Sequence, residues 1–254
     1  MSERFVPSWR RPSGPLNVWK IIERKMKIFD DEEQLIRISF QEVPEHRRDE
    51  AIDHMLQYFA SDESINWCNN NADDQQIIQD LKVFWNYCLD QGIVLAAYKV
   101  NSQNEISELI GVNMILVISE QTEEDLRHLS QKCQSVRFPD ILRIRNGVMK
   151  KANIYQLFGV DKYISTIGLG IKTEYRGQKF GLEMLKIRTD VGKTYGIKVS
   201  SSIFSTRPSQ VLAQRAGFED VLNERQDNFL DDQGRPLFPN AGSERVKCMA
   251  KRLI

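Results

Sequence analysis

Much of what commonly advertises chemistry is missing from this 254-residue chain. Its charge has no bias, 35 basic against 35 acidic residues, so no overall field draws it to nucleic acid or an acidic lipid surface. Its four cysteines (Cys68, Cys88, Cys133 and Cys248) are scattered and form no CxxC pair. That usage suits a reducing compartment and unlinked core thiols better than a disulfide framework. The histidines His46, His54 and His128 stand singly on helical segments with no HExxH or Cys/His spacing, so no metal is expected, and surface or half-buried positions are. The first residues, "MSERFVPSWRRPSGPLNVW", lack the apolar run of a signal peptide. The longest apolar stretch, "LIGVNMILVI" at 109–118, is broken by Asn113 and too short for a bilayer. A soluble cytoplasmic protein is expected, with no nucleic-acid or membrane partner. There is no Walker A loop, no GxGxxG, no internal repeat and no low-complexity tract.

What is present is an alternation of strand-like and helix-like segments long enough to bury a substantial core. After a Pro- and Gly-containing arm, residues 17–29 and 34–43 alternate in polarity around an acidic "DDEE" turn and predict a hairpin. Ala51, Ile52, Met55, Leu56 and Phe59 recur at helical spacing after Pro44, and a second helix runs to Gly92, a usual stop signal. Strands are expected at 93–100, 107–118, 164–173 and 196–204, with closing strands at 218–224 and 245–253. Helices are expected at 122–135, 141–159, 182–195 and 207–217. Phe84, Trp85 and Tyr87 share one helix and read as core. The basic run "RIRNGVMKK" (143–151) reads as a solvated helix face. This order predicts an α/β (α+β) protein with a central mixed sheet, helices on both faces and an N-terminal hairpin. Residues 1–29 form the arm and first hairpin strand, and 30–254 the main domain.

One junction carries a chemical signal. "EYRGQKFG" (174–181) lies where strand-like "STIGLGIKT" gives way to helical "LEMLKIRTDVGKTY". A helix start leaves its first N–H groups without carbonyl partners, and with the positive end of the helix dipole these make a seat for phosphate. Gly177 and Gly181 would let backbone approach a ligand, and Arg176 and Lys179 would add charge. The same glycines also suit a plain strand-to-helix turn, and spacing alone leaves both readings open.

"LGIKTEYRGQKFGLEMLK" resembles the coenzyme A loop of the GNAT acetyltransferase superfamily, (Arg/Gln)-x-x-Gly-x-(Gly/Ala) after a strand. Arg176 and Gly181 match, while Lys179 stands where the family usually has glycine. "FASDESINW" (59–67), "ILRIRNGVMKKANIYQLFGVDKYI", "SSSIFSTRPSQVLAQRAGF" and "VKCMAKRL" are similar, in that order, to segments of insect arylalkylamine N-acetyltransferases. The likeness extends in patches from about Asp30 onward. It implies a GNAT-like acyl-CoA N-acyltransferase fold and acetyl-CoA as co-substrate. The pantetheine arm would lie along Leu169, Gly170 and Ile171, whose strand splays from its neighbour in this superfamily. The pyrophosphate would lie on Arg176, Gly177, Gln178, Lys179, Phe180, Gly181 and Leu182.

The resemblance also implies catalytic residues. At neutral pH only about four in ten thousand alkylammonium groups are deprotonated, so a base is useful, and the motif glutamate, Glu63, has that task in the insect enzymes. Ser64 replaces the proline of their motif. Ser205 and Ser209 align with serines implicated in proton handling; the bland reading of Ser205 is a helix N-cap, with Pro208 in the first turn. The tyrosine acid of many GNAT enzymes falls at Ala213 here. Cys68 and Cys88 have no evident histidine partner for an acyl-enzyme. A monomeric enzyme acetylating a primary arylalkylamine (dopamine, tyramine or serotonin) is therefore expected. The alternatives are agmatine or a polyamine, a longer acyl-CoA, or a non-catalytic CoA-binding module.

Overall fold

The computed structural model describes residues 5–27, 33–60, 72–135, 138–225, 228–229, 234 and 245–254. Eight strands form one sheet: β1 (Val18–Met26), β2 (Gln34–Glu42), β3 (Leu95–Val100), β4 (Ile106–Ser119), β5 (Lys162–Ile171), β6 (Val199–Phe204), β7 (Glu219–Arg225) and β8 (Arg245–Arg252). Their spatial order is β1-β2-β3-β4-β5-β6-β8-β7. Every neighbouring pair is antiparallel except β5 and β6, so the sheet is mixed, as expected. The helices are α1 (Arg48–Met55), α2 (Ala72–Gln91), α3 (Glu120–Ser130), α4 (Phe138–Ala152), α5 (Ile154–Phe158), α6 (Phe180–Tyr195) and α7 (Arg207–Arg215). Among the described residues no helix is long and apolar enough to cross a membrane.

The apolar run at 109–118 is β4, and its continuity has a simple cause: both faces of this strand are covered. Leu109, Val112, Met114, Leu116 and Ile118 join the core beneath α1 to α5. Ile110, Ile115 and Val117 join the core beneath α6 on the opposite face. Each such side chain contributes roughly 1.5–3 kcal/mol by burial. Helix α2 lays Ile77, Leu81, Phe84, Trp85 and Cys88 on the first face at helical spacing; Trp85 and Phe84 are core, as is Tyr87. Gly92 follows at φ +81°, the left-handed stop that its position suggested.

Three expectations change in detail. The 141–159 run is two helices, because Asn153 adopts a left-handed backbone (φ 43°) that an α-helix cannot continue. The helix expected at 122–135 starts and ends earlier, capped by Ser119, whose hydroxyl accepts from the Thr122 N–H. The arm before β1 is irregular but anchored: Ser8 N–H and Oγ–H both donate to Asp125, Arg11 N–H donates to Gln91 O at 3.0 Å, and Trp9 meets Tyr195 edge-on.

Candidate active site

Strand β5 organises the site. Along one edge it pairs with β4 from Ser119↔Lys162 to Gly111↔Ile171. Along the other it pairs with β6 at Ile164↔Ser200 alone. Beyond that point the two parallel strands part in a wedge. Burial follows the split: Tyr163, Ile164 and Ser165 are buried, whereas Thr166, Ile167, Gly168 and Leu169 are half-buried despite lying mid-sheet. A central strand with an unpaired, accessible edge offers backbone donors and acceptors to an extended ligand.

Within the wedge, β5 is not regular. Its register against β4 slips between Asn113↔Leu169 and Ile115↔Thr166, so Ile167 and Gly168 bulge. Gly168 has φ +117°, and a Cβ there would stand 2.6 Å from Met55 Cε and 2.9 Å from the Phe59 ring. Glycine is required on both counts. The bulge is held by side chains. Trp85 Nε1–H donates to Ile167 O at 3.0 Å, and Thr166 Oγ1 lies 3.0 Å from Gly168 O and 2.8 Å from Asn113 Oδ1. A single π-helical turn, Leu56–Ala60, continues α1 and sets Phe59 against both the bulge and Trp85. Such turns are frequent at functional sites.

The chain from β5 into α6 forms the loop singled out in the sequence. Gly177 and Lys179 both have left-handed backbones (φ 77° and 64°). Lys179 therefore occupies a conformation natural to glycine and strained for a lysine, which accounts physically for the glycine the family prefers there. The first helical bond runs from Glu183 N–H to Lys179 O, and the N–H groups of Phe180, Gly181 and Leu182 precede it. Arg176, Gly177 and Lys179 are exposed. Arg176 Nε–H donates to Ile171 O at 2.9 Å and Nη2–H to Tyr58 O at 3.2 Å, fastening the end of β5 to the π-turn. From β1, Arg24 donates to Gln178 O and lies over the Phe180 ring, while Lys20 pairs with Glu183 at 2.6 Å.

Other expected residues fall differently. Glu63 and Cys68 lie outside the described residues. Ser205 follows β6 at the open end of the wedge, half-buried, but the N-cap of α7 is Thr206, one residue later. Ser209 is bound into that cap: its Oγ–H donates to Thr206 O at 2.8 Å, and its N–H donates to Thr206 Oγ1. The Cys88 thiol is buried and pushed far up by desolvation, hence unreactive.

His54 corrects the sequence reading, because it is buried. Its Nε2–H donates to Gly170 O at 3.2 Å and its ring packs on Tyr58. Desolvation pulls its pKa down to about 4, against an upward pull from the Gly170 carbonyl. A lone histidine in sequence carries no sign of a partner 116 residues away.

No protein-family model matches the sequence, and no curated protein does. Solved structures do. One from the yellow fever mosquito Aedes aegypti, called by assignment arylalkylamine N-acetyltransferase 7, superposes with a TM-score of 0.83 at 26% identity, covering 97% of this chain and 99% of that one. The fold is that of the GNAT acetyltransferases. The Drosophila melanogaster polyamine N-acetyltransferase, which forms N-acetylagmatine, gives a TM-score of 0.70 at 16% identity. Mosquito arylalkylamine N-acetyltransferase like 5b gives 0.69 at 19%. Each of these two covers 85% of this chain and 99% of its own. The GNAT resemblance read from the loop thus holds for the whole architecture, and the wedge between β5 and β6 is the splay that it implied.

Proposed function

We propose that the protein is an acetyl-CoA-dependent N-acetyltransferase acting on a primary amine. The observation that carries this reading is the open edge of β5 leading straight into a glycine-bearing helix N-terminus. An acyl-pantetheine laid along Leu169, Gly170 and Ile171 would meet the backbone groups of that edge that His54 and Arg176 do not already engage. Its diphosphate would then reach the N–H groups of residues 177–182 at the positive end of α6. Arg176 supports this arrangement by holding the loop against β5.

Direct transfer follows. Glu63 takes a proton from the bound ammonium, and the nitrogen attacks the thioester carbonyl, which the backbone at the Ile167–Gly168 bulge polarises. A main-chain N–H on that accessible edge is the donor to the carbonyl oxygen, and Trp85 and Thr166 hold the bulge in place from its carbonyl side. Ser205, at the mouth of the wedge, orders the substrate or relays a proton. Ser209 acts through the Thr206 cap, holding the start of α7. An arylalkylamine is the preferred amine, since Phe59 presents half-buried aromatic surface beside the bulge and Tyr58, also half-buried, packs nearby on His54. Agmatine or another polyamine is the second reading, favoured by the likeness to the Drosophila enzyme.

Calorimetry with CoA followed by thiol release from acetyl-CoA against an amine panel tests the proposal. Turnover with dopamine, tyramine or serotonin supports the first reading, and turnover confined to agmatine or polyamines the second. No binding of CoA in well-folded protein refutes both. Glu63→Ala is expected to lower turnover about 10²–10⁴-fold with acetyl-CoA affinity little changed.

A further inference from the structure

The apex of the wedge holds a charge that the mechanism above does not use. Arg188 projects from α6 and is wholly buried. Its Nη1–H groups reach Ser202 Oγ at 2.9 Å and Ser200 Oγ at 3.3 Å, and Nη2–H reaches Asn113 Oδ1 at 3.2 Å. Its guanidinium lies 5.8 Å from the Phe218 ring centroid. Ser200 is the residue of the last β5–β6 pairing, its own hydroxyl donating to Ile164 O, and Ser202 lies one step into the divergence.

Among the described residues Arg188 has no carboxylate partner, and all its hydrogen-bonding neighbours are neutral. Burial lowers its pKa to about 9, which still leaves it charged at neutral pH. Two buried donors of the cluster, Arg188 Nε and Asn113 Nδ2, have no acceptor among the described residues. An unpaired charge and two unmet donors are costly to bury, so a cluster short of negative partners calls for a reason. The same Asn113 oxygen that accepts from Arg188 lies 2.8 Å from Thr166 Oγ1, whose single proton is shared among Asn113 Oδ1, Met114 O and the bulge carbonyl of Gly168. The cation is therefore wired to the place where the thioester would sit.

Building on the proposed acetyl transfer, we propose that Arg188 is a positioning and electrostatic residue whose buried positive charge stabilises the thiolate leaving from acetyl-CoA, taking the place of a general acid. In that step the amine lone pair forms the C–N bond and the carbonyl π pair moves to oxygen. Its return breaks the C–S bond with the electron pair on sulfur; one proton leaves the ammonium for Glu63 and then solvent before attack, a second leaves nitrogen for solvent as the amide forms, and the thiolate takes a proton from solvent after release. A fixed charge in a dry site acts on developing negative charge without reorganising, so no proton donor is needed at Ala213. Contacting Arg188 from β4, β6 and the residue before β7 are Asn113, Ser200, Ser202 and Phe218, none of which titrates.

The test uses the whole protein. Ultraviolet absorbance of the thiolate gives the thiol pKa of CoA bound to the wild type, expected about one pH unit below that of free CoA. Arg188→Met should abolish that shift and lower kcat roughly 10–100-fold, and Arg188→Lys should restore part of both. Should Arg188→Met fail to fold, Asn113→Asp decides: it gives the arginine a carboxylate, so thermal stability should hold or rise while the thiol shift and kcat fall. A purely structural arginine would leave both unchanged in Asn113→Asp. The inference is overturned if CoA bound to the wild type titrates like free CoA, or if Asn113→Asp keeps the wild-type shift and turnover. Absence of CoA binding by the wild type would instead sink the acetyl-transfer reading itself, and this inference with it.

Discussion

The two edges of β5 belong to one strand and meet opposite fates. On the β4 side nearly every residue from Lys162 to Ile171 has a partner, and a single slip is tolerated. On the β6 side one pairing at Ile164 is followed by a gap. Sheet hydrogen bonds are stabilising on both sides, so the open edge is maintained against an available alternative. The surrounding side chains maintain it: Trp85 and Thr166 fix the bulge, Met55 and Phe59 fill the space a regular side chain would need, and His54 engages Gly170. A binding edge is made here by preventing one strand from completing its pairing.

Breaking the bulge is the most severe challenge to that comparison. Gly168→Ala puts a Cβ against Met55 and Phe59 in a backbone region that alanine rarely adopts. Activity should fall about 100-fold, the expected scale for an ångström of misplacement at a reacting centre, with about 1–3 kcal/mol of stability lost in denaturant titration. Trp85→Phe is gentler, keeping the ring and removing the donor to Ile167 O. Losing this part-buried hydrogen bond costs about 0.5–1.5 kcal/mol, and kcat should drop about tenfold with the KM for acetyl-CoA nearly unchanged.

His54 allows a test by pH. Its folded pKa, about 4, lies below the unfolded value of about 6.5, so between these values the unfolded chain binds the extra proton. The contribution is therefore fully present above pH 6.5 and is lost as pH falls toward 4, by roughly 3 kcal/mol in all. Urea titrations at pH 7 and pH 4.5 should show a smaller acid loss in His54→Gln, whose amide can still donate to Gly170 O. An equal loss in both proteins would remove His54 as the cause. At the far end of the open edge, Lys179→Gly relieves a left-handed lysine and should stabilise the fold by about 1 kcal/mol or less, read from the denaturant midpoint.

Much of this architecture is legible in the sequence because it rests on local pattern. Strand β4 shows as an apolar run, α2 as a helical stripe closed by Gly92, and the β5–α6 junction as glycines beside long polar side chains. The bulge is harder to see: "STIGLGI" alternates well enough for an ordinary strand, and only its glycines hint at irregularity. His54 and Arg188 are illegible for a different reason. Each looks like a polar residue on an amphipathic helix, and what buries it is a partner distant in the chain, the Gly170 carbonyl in one case and Asn113, Ser200 and Ser202 in the other. The choice between Ser205 and Thr206 as the cap turned on a single residue, finer than composition resolves.

The residues that hold the bulge come from positions 55, 59, 85 and 166, so its shape exists only once distant segments have met. Before α1 and α2 dock, nothing but Thr166 within the strand itself fixes the irregular backbone at 167–168. The opening is thus a property of the assembled protein, and amide exchange across 167–171 should speed up whenever that helical cover loosens, ahead of any change in β4.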